Sequence, residues 1–354
     1  MSESQRVAIV GAGGYTGSEL VRLIHGHPRL ELAWLGARDN AGRRLGDVLP
    51  SVEGIPALGD RVLQPFEADR AKELAAQVDV AFTALPHAAS ARIGTALLDA
   101  GLRVVDLSAD FRLRDAAVYG RTYGEHPAPH LLAQAVYGLP ELYRDKLRGA
   151  RLIASPGCYP TSAILPLVPL LEAGLIEADG IVVDSKSGAS GGGRTPAPAF
   201  HFPESSESVR PYKVAGAHRH VPEIEQELSV AAGRAVQVAF TPHLVPMSRG
   251  ILTTAYARVR AGVSAADCRR AAERRYAGGL TAVLGEGKLP DTLAVRGSAR
   301  AQVAYAVDDR VKLMIATCAI DNLAKGASSQ AVQALNVALG WPDELGLPEV
   351  AVFP

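Results

Sequence analysis

Residues 7–24, VAIVGAGGYTGSELVRLI, set a glycine-rich turn between a short apolar run and an amphipathic one. VAIV (7–10) reads as a buried strand, and SELVRLIHGH as a helix that Pro28 stops. A second strand, LELAWLGAR (30–38), follows directly. A strand, a tight turn, a helix and another strand in that order demand a parallel pair joined by a crossover. Few folds accept such a beginning. Gly11, Gly14 and Gly17 lie where a backbone must turn sharply and where a pyrophosphate could reach free N–H groups at a helix start. The spacing departs from G-x-G-x-x-G, because Thr16 stands at the third glycine position and Gly17 comes one later. The turn, Gly11, Gly14, Tyr15, Thr16 and Gly17, is the expected dinucleotide cradle. Strand two ends at Gly36-Ala37-Arg38, with Arg43 and Arg44 close behind, so a 2′-phosphate fits better than a bare ribose. NADP(H) is the expected cofactor, with Arg38 as its reader and Asp39 as the contrary sign.

The alternation continues through a helix at 68–77, a strand at 78–85, a helix at 89–101 and a strand at 102–108. RLIAS (151–155) is one more strand. After about residue 160 the pattern changes. IVVDSKSG (181–188) is a strand, 189–222 is a long stretch rich in Gly, Ser, Pro and His, and VQVAFTPHLVP and GILTTAYARV are β runs around a turn. A helix at 265–278 and a hairpin around Asp308–Asp309 lead to a helix at 323–340. At 354 residues, two domains are expected. The first is a parallel-sheet α/β domain, 1–150, completed by residues 323–354. The second, 151–322, is an α+β catalytic and oligomerisation domain with a mixed or antiparallel sheet.

Lys+Arg and Asp+Glu both number 37, so no global field draws in nucleic acid or anionic lipid. No apolar run is long enough to span a membrane, and no secretory signal is expected from the N-terminus. Three cysteines without metal-type spacing read as reduced thiols, which fits the cytoplasm.

One of the three is unlike the others. Cys158 sits in SPGCYPT, ahead of an apolar helix with Pro160 in its first turn. A thiol there faces outward-pointing N–H groups, which favour the nucleophilic thiolate. Cys268, in an amphipathic helix, and Cys318, in a strand, read as buried fillers. AGAHRHVPEIEQEL offers His218 and His220, two apart before a helix near Pro222. In an extended segment both would share a face, with Arg219 pointing away. Either could be the proton carrier, with a slight lean to His218, and Glu223 could orient an imidazole. Nucleotide, thiol and imidazole together fit reduction of an acyl group held as a thioester.

These segments, with DLSADFRL (106–113), SGASGGGR (187–194), FTPHLVPMSRGI (240–251) and DNLAKGASSQAVQALNVALGW (321–341), resemble the N-acetyl-γ-glutamyl-phosphate reductase family of the aspartate-semialdehyde dehydrogenase-like superfamily. The resemblance runs through nearly the whole chain in order. It implies a Rossmann domain holding NADPH and a small acyl phosphate substrate. It also implies a homo-oligomer, dimer or tetramer, and a place in arginine biosynthesis. It casts Cys158 as the nucleophile and the HRH segment as the base. It places Pro86 and His87 over the cofactor, Ser187 and Gly188 at the nicotinamide side, and Asn322 with Lys325 near the carboxamide. Arg112, Arg194 and Arg249 become candidates for the phosphate and the substrate carboxylate. Ser155 stands where many members carry Asn. The rival readings are a carrier-protein-linked aminoadipyl-phosphate reductase of lysine biosynthesis, an aspartate-semialdehyde dehydrogenase, and a non-catalytic NADP-binding sensor.

Overall fold

The computed structural model describes residues 4–354. They form two compact units, one running up to Pro156 and resuming at Ala327–Leu347, the other formed by Gly157–Gly326 and Pro348–Pro354. The division follows the last strand of the first sheet, a few residues beyond 150. The tail at 348–354 goes to the second unit, because Ala299 N–H bonds Pro348 O and Val352 N–H bonds Arg296 O.

The first unit holds β1 (Gln5–Val10), β2 (Leu30–Gly36), β3 (Val80–Thr83), β4 (Arg103–Asp106), β5 (Val136–Tyr137) and β6 (Leu152–Ala154). Their order is β2-β1-β3-β4-β6-β5, and every pair is parallel. A parallel sheet is covered on both faces, so its strands are continuously apolar. Accordingly β3 and β6 are buried at every position, and so are residues 7–10 of β1. The helix expected at 323–340 opens instead as a π-turn, Ala324–Ser328, before the α-helix Ser329–Ala338.

In DLSADFR, alternate polar residues pin separate parts of this unit. Asp106, fully buried, accepts hydroxyl donors from Thr83, Ser90 and Ser108. Burial pushes its carboxyl upward, with Asp110 adding to the effect, while the three hydroxyls pull the other way. Asp110 accepts Ala88 N–H at 2.9 Å, Ala91 N–H at 2.7 Å and the Tyr119 hydroxyl at 2.6 Å. It thereby caps helix Ala89–Asp99 and holds Ala88 at φ 65°, a conformation disfavoured for a residue with a Cβ.

The second unit holds β7 (Ile181–Ser187), β8 (Arg210–Pro211), β9 (Val238–Leu244), β10 (Ile251–Arg258), β11 (Thr281–Val283), β12 (Ala301–Asp308) and β13 (Leu313–Ile320). The order is β11-β12-β13-β10-β7-β9-β8. β12 and β13 are the expected hairpin, with Asp308 opposite Leu313. The two β runs at 236–259, by contrast, do not pair with each other. β7 lies between them, parallel to β9 and antiparallel to β10, which makes the sheet mixed. Along β7, Ile181, Val183, Ser185 and Ser187 are buried and the residues between are not, as expected of a sheet covered on one face.

Helix Cys158–Glu172 carries Pro166 and Pro169 in its interior and is still almost wholly buried. Pro169 has no N–H for the carbonyl of Leu165 four residues back. The Tyr276 hydroxyl donates to that oxygen at 2.6 Å, so the break leaves no orphaned acceptor.

Candidate active site

The glycine turn has the shape a dinucleotide phosphate needs. Gly11 sits at φ +103°, and a Cβ there would lie 2.3 Å from Ala84 O. A Cβ on Gly17 would lie 2.3 Å from Gly11 O and 2.7 Å from Ala12 Cα, so Gly17 is what lets the helix close onto the turn. Gly14 is the N-cap of helix Tyr15–His25 and supplies no side-chain cap. A Cβ on it would meet nothing nearer than 3.9 Å, so the space over the helix start is open. The first-turn N–H groups have no intrahelical acceptor and face that space, which fits an anionic ligand. Tyr15 is exposed, and the carbonyl of Thr16 accepts the Ser328 hydroxyl at 3.0 Å. Arg38 is 78% exposed and lies 2.8 Å from the equally exposed Asp39. Arg44 bonds Asp60, and Arg43 bonds Asn40 and the carbonyl of Asp47. Pro86 and His87 are exposed ahead of the Asp110-capped helix, with the His87 ring 5.5 Å from that of Tyr123.

In the second unit Cys158 is the first residue of its helix and is half-buried, while Cys268 and Cys318 are buried. Burial pushes the Cys268 thiol up to about 11 and raises that of Cys318 further, so both stay protonated. The N-cap N–H, on Gly157, donates to Glu223 Oε1 at 2.8 Å. Glu223 is buried in the first turn of helix Val221–Ala232, whose N-cap is His220. One hydrogen bond thus ties together the beginnings of the two helices that carry Cys158 and the histidine pair.

The histidines meet, though not by the geometry expected. Residues 214–220 form turns, and His220 is in the helical region rather than extended. The rings nevertheless lie 4.9 Å apart, because the backbone folds over: His220 N–H donates to His218 Nδ1 at 3.1 Å. Arg219 is exposed. The His218 ring is edge-on to Tyr159, Tyr212 and Phe240 at 5.3, 5.6 and 5.4 Å. Burial in this aromatic cage, with Lys213 and Arg219 adding repulsion, lowers His218 to about 4. The unfolded chain takes up this proton first as pH falls from about 6.5, the ordinary imidazole value, through the folded value. Stability from the neutral ring is therefore complete above that window and lost across it. A urea series followed by circular dichroism should show the midpoint falling between those pH values, and His218→Gln should flatten that part of the slope.

Two tyrosines that sequence reasoning did not single out complete this cluster. Tyr159 and Tyr212 share a hydroxyl–hydroxyl bond of 2.9 Å. Burial pushes Tyr212 up to about 12 and Tyr159 higher, so both remain neutral donors. Tyr159 follows Cys158 directly, a signal that SPGCYPT already contained.

The remaining candidates divide. Ser187 closes β7, and a Cβ on Gly188 would lie 2.8 Å from the Ser248 carbonyl. Asn322 is buried, taking Gly250 N–H at 2.7 Å and giving to the Ser190 hydroxyl at 3.0 Å. Lys325 is fully buried. Arg112 is buried and donates to Ser155 O at 2.7 Å and Leu107 O at 2.8 Å, which fixes the strand end that leads to the cysteine corner. Arg194 is exposed. Arg249 pairs with the fully buried Asp321, its NH2 group 3.0 Å from Oδ1 and its Nε 2.8 Å from Oδ2. That pairing gives Arg249 a partner within the protein itself. Arg249 is the cation beside this buried carboxylate.

Among the described residues no helix is long and apolar enough to cross a membrane, and no group of His, Cys, Asp and Glu is arranged to hold a metal. Residues 6–150 match the family described as the semialdehyde dehydrogenase NAD binding domain, and residues 158–322 match the semialdehyde dehydrogenase dimerisation domain. A protein of Magnetococcus marinus named N-acetyl-gamma-glutamyl-phosphate reductase is 47% identical over 356 residues, covering 100% of both chains. One of Geobacter sulfurreducens with the same name is 46% identical over 350 residues, covering 99% of both. Among solved structures, aspartate semialdehyde dehydrogenase II of Vibrio cholerae, complexed with ASA, has a TM-score of 0.70 at 17% identity, over 95% of this chain and 98% of that one. The aspartate semialdehyde dehydrogenase of Candida albicans, with NADP, has a TM-score of 0.67 at 17% identity, over 96% and 99%. The two solved structures bear on the fold alone, and they bear out the two-sheet architecture.

Proposed function

Because the chain belongs to the semialdehyde dehydrogenase family, among its N-acetyl-γ-glutamyl-phosphate reductases, we infer that it reduces N-acetyl-γ-glutamyl phosphate to the 5-semialdehyde in arginine biosynthesis. The observation that carries the chemistry is Cys158, half-buried at the positive end of a helix and tied through Gly157 and Glu223 to the helix that His220 opens.

NADP(H) is the cofactor, and when bound it supplies a hydride, two electrons and a proton's mass, to an acyl carbon. The backbone N–H groups after Gly14 would hold its pyrophosphate, and Arg38 would turn from Asp39 toward the 2′-phosphate. In the second unit, Cys158 gives its proton to His220 and attacks the acyl carbon. The carbon–oxygen bond to phosphate breaks as the carbon–sulfur bond forms, and His220 returns the proton to the departing phosphate. After hydride arrives, the oxyanion collapses, the carbon–sulfur bond breaks, and the thiolate leaves with its electron pair. His218 suits a supporting role, since its Nδ1 already accepts the His220 N–H and its basicity is low. His220 is therefore the proton carrier in this reading, in place of the slight preference for His218. The Tyr159–Tyr212 hydroxyl pair is a ready donor to a substrate carbonyl.

The second unit's family is named for dimerisation, and a homodimer is the assembly we assign. We assign it to the cytoplasm, a reading that its three free thiols support. The test is an assay of NADPH oxidation with each acyl phosphate. We expect kcat/KM for N-acetyl-γ-glutamyl phosphate to exceed that for β-aspartyl phosphate by at least about 10³, because unmatched polar groups in a site discriminate strongly. Equal or reversed preference would overturn the substrate assignment. Turnover only of a carrier-protein-linked aminoadipyl phosphate would move the enzyme to the lysine route.

A further inference from the structure

Gly326 has no room for a side chain. A Cβ there would lie 2.8 Å from Cys158 Cβ and 3.2 Å from Cys158 Cα. The backbone of this glycine is thus the wall behind the cysteine. The wall exists because the chain after β13 is wound wider than an α-helix. Gly326 N–H donates to the carbonyl of Asp321, five residues back, at 2.9 Å, within the π-turn Ala324–Ser328. The same residue shapes the turn with its side chain. Asp321 Oδ1 accepts Leu323 N–H at 2.9 Å and Ala324 N–H at 3.0 Å, and Oδ2 accepts Gly297 N–H at 2.7 Å. Arg249 spans both oxygens. Removing one partner of such a buried ion pair is strongly destabilising, because the other is left without its counter-charge.

We propose that Asp321, neutralised by Arg249, winds the turn that seats Gly326 against Cys158, and that these three are positioning residues for the sulfur. The proposal rests on the reading of Cys158 as nucleophile. It assigns Arg249 to the protein's own aspartate, so its loss should be felt before any substrate binds.

The experiment measures alkylation of Cys158 by iodoacetamide in the full chain without substrate or nucleotide, with the site read by peptide mass, beside steady-state kinetics. Arg249→Met leaves the Asp321 charge uncompensated, and alkylation should slow by about tenfold as the thiol loses its placement. Adding Asp321→Asn removes that charge and keeps an acceptor for Leu323 and Ala324. The double variant should recover alkylation and kcat to within about threefold of wild type. Gly326→Ala should slow alkylation and kcat together while KM for the acyl phosphate changes less than about threefold. If instead all variants alkylate at the wild-type rate and Arg249→Met raises KM equally in the single and double variants, Arg249 binds substrate and the proposal falls. Alkylation of wild-type Cys158 that leaves turnover intact would remove the nucleophile assignment itself, and the proposal with it. If that alkylation abolishes turnover while the double variant shows no rescue, the positioning claim alone is lost.

Discussion

Cys158→Ala is expected to lower kcat by about 10⁴- to 10⁶-fold, the range for deleting a nucleophile that forms a covalent intermediate. Circular dichroism should be unchanged, since the substitution removes only a sulfur from the first residue of a helix and alanine is a good helix former. Cys158→Ser should be almost as inactive. A helix start and an imidazole can bring a thiol to its anion near neutral pH, but a hydroxyl is far less acidic. In wild type, iodoacetamide should modify Cys158 well before Cys268 or Cys318, whose burial keeps them protonated and enclosed. Turnover within tenfold of wild type in the alanine variant would end the thioester mechanism.

The second largest effect is expected from His220→Asn, a loss in kcat of about 10²- to 10⁴-fold with KM for NADPH unchanged. His218→Asn should cost about tenfold or less in kcat, and its main effect should be on folding, because the ring fills an aromatic cage and its Nδ1 accepts the His220 N–H. The two also separate in their pH dependence. Removing the proton carrier should abolish the acid limb of kcat/KM, whereas removing a ring held neutral down to about pH 4 should leave that limb in place. A larger loss and an altered profile in His218→Asn would exchange the two roles.

Much of the first unit could be read directly. Strands β3 and β6 are buried on both faces and so are continuously apolar, and Gly11 and Gly17 fall where φ or close packing forbids a Cβ. The cysteine corner was equally readable, because Pro-Gly before a helix is a local signal. The two imidazoles are legible as His218 and His220, two residues apart, but the geometry that joins them is not. Alternation in an extended segment was expected, and a turn with a ring-to-backbone hydrogen bond brings the rings together instead. Arg249 shows the limit most clearly. Its partner Asp321 is 72 residues away, and no pattern within either segment reveals the pairing. Gly326 left a faint trace, since a glycine inside a helical pattern often marks close backbone approach, yet the residue it approaches lies 168 positions earlier (326 − 158).

The sequence by itself determined the order of the main strands, the glycine-rich turn after β1 and the Pro-Gly corner before Cys158. Each of these depends on residues within about one helical turn or one strand of one another, where periodicity and steric rules act. Only the tertiary structure decided which strand lies between β9 and β10, which histidine is enclosed by aromatic rings, and which arginine a buried aspartate claims. Those outcomes are set by burial and by long-range pairing of charge, whose free energies depend on neighbours that the chain supplies only once it has folded.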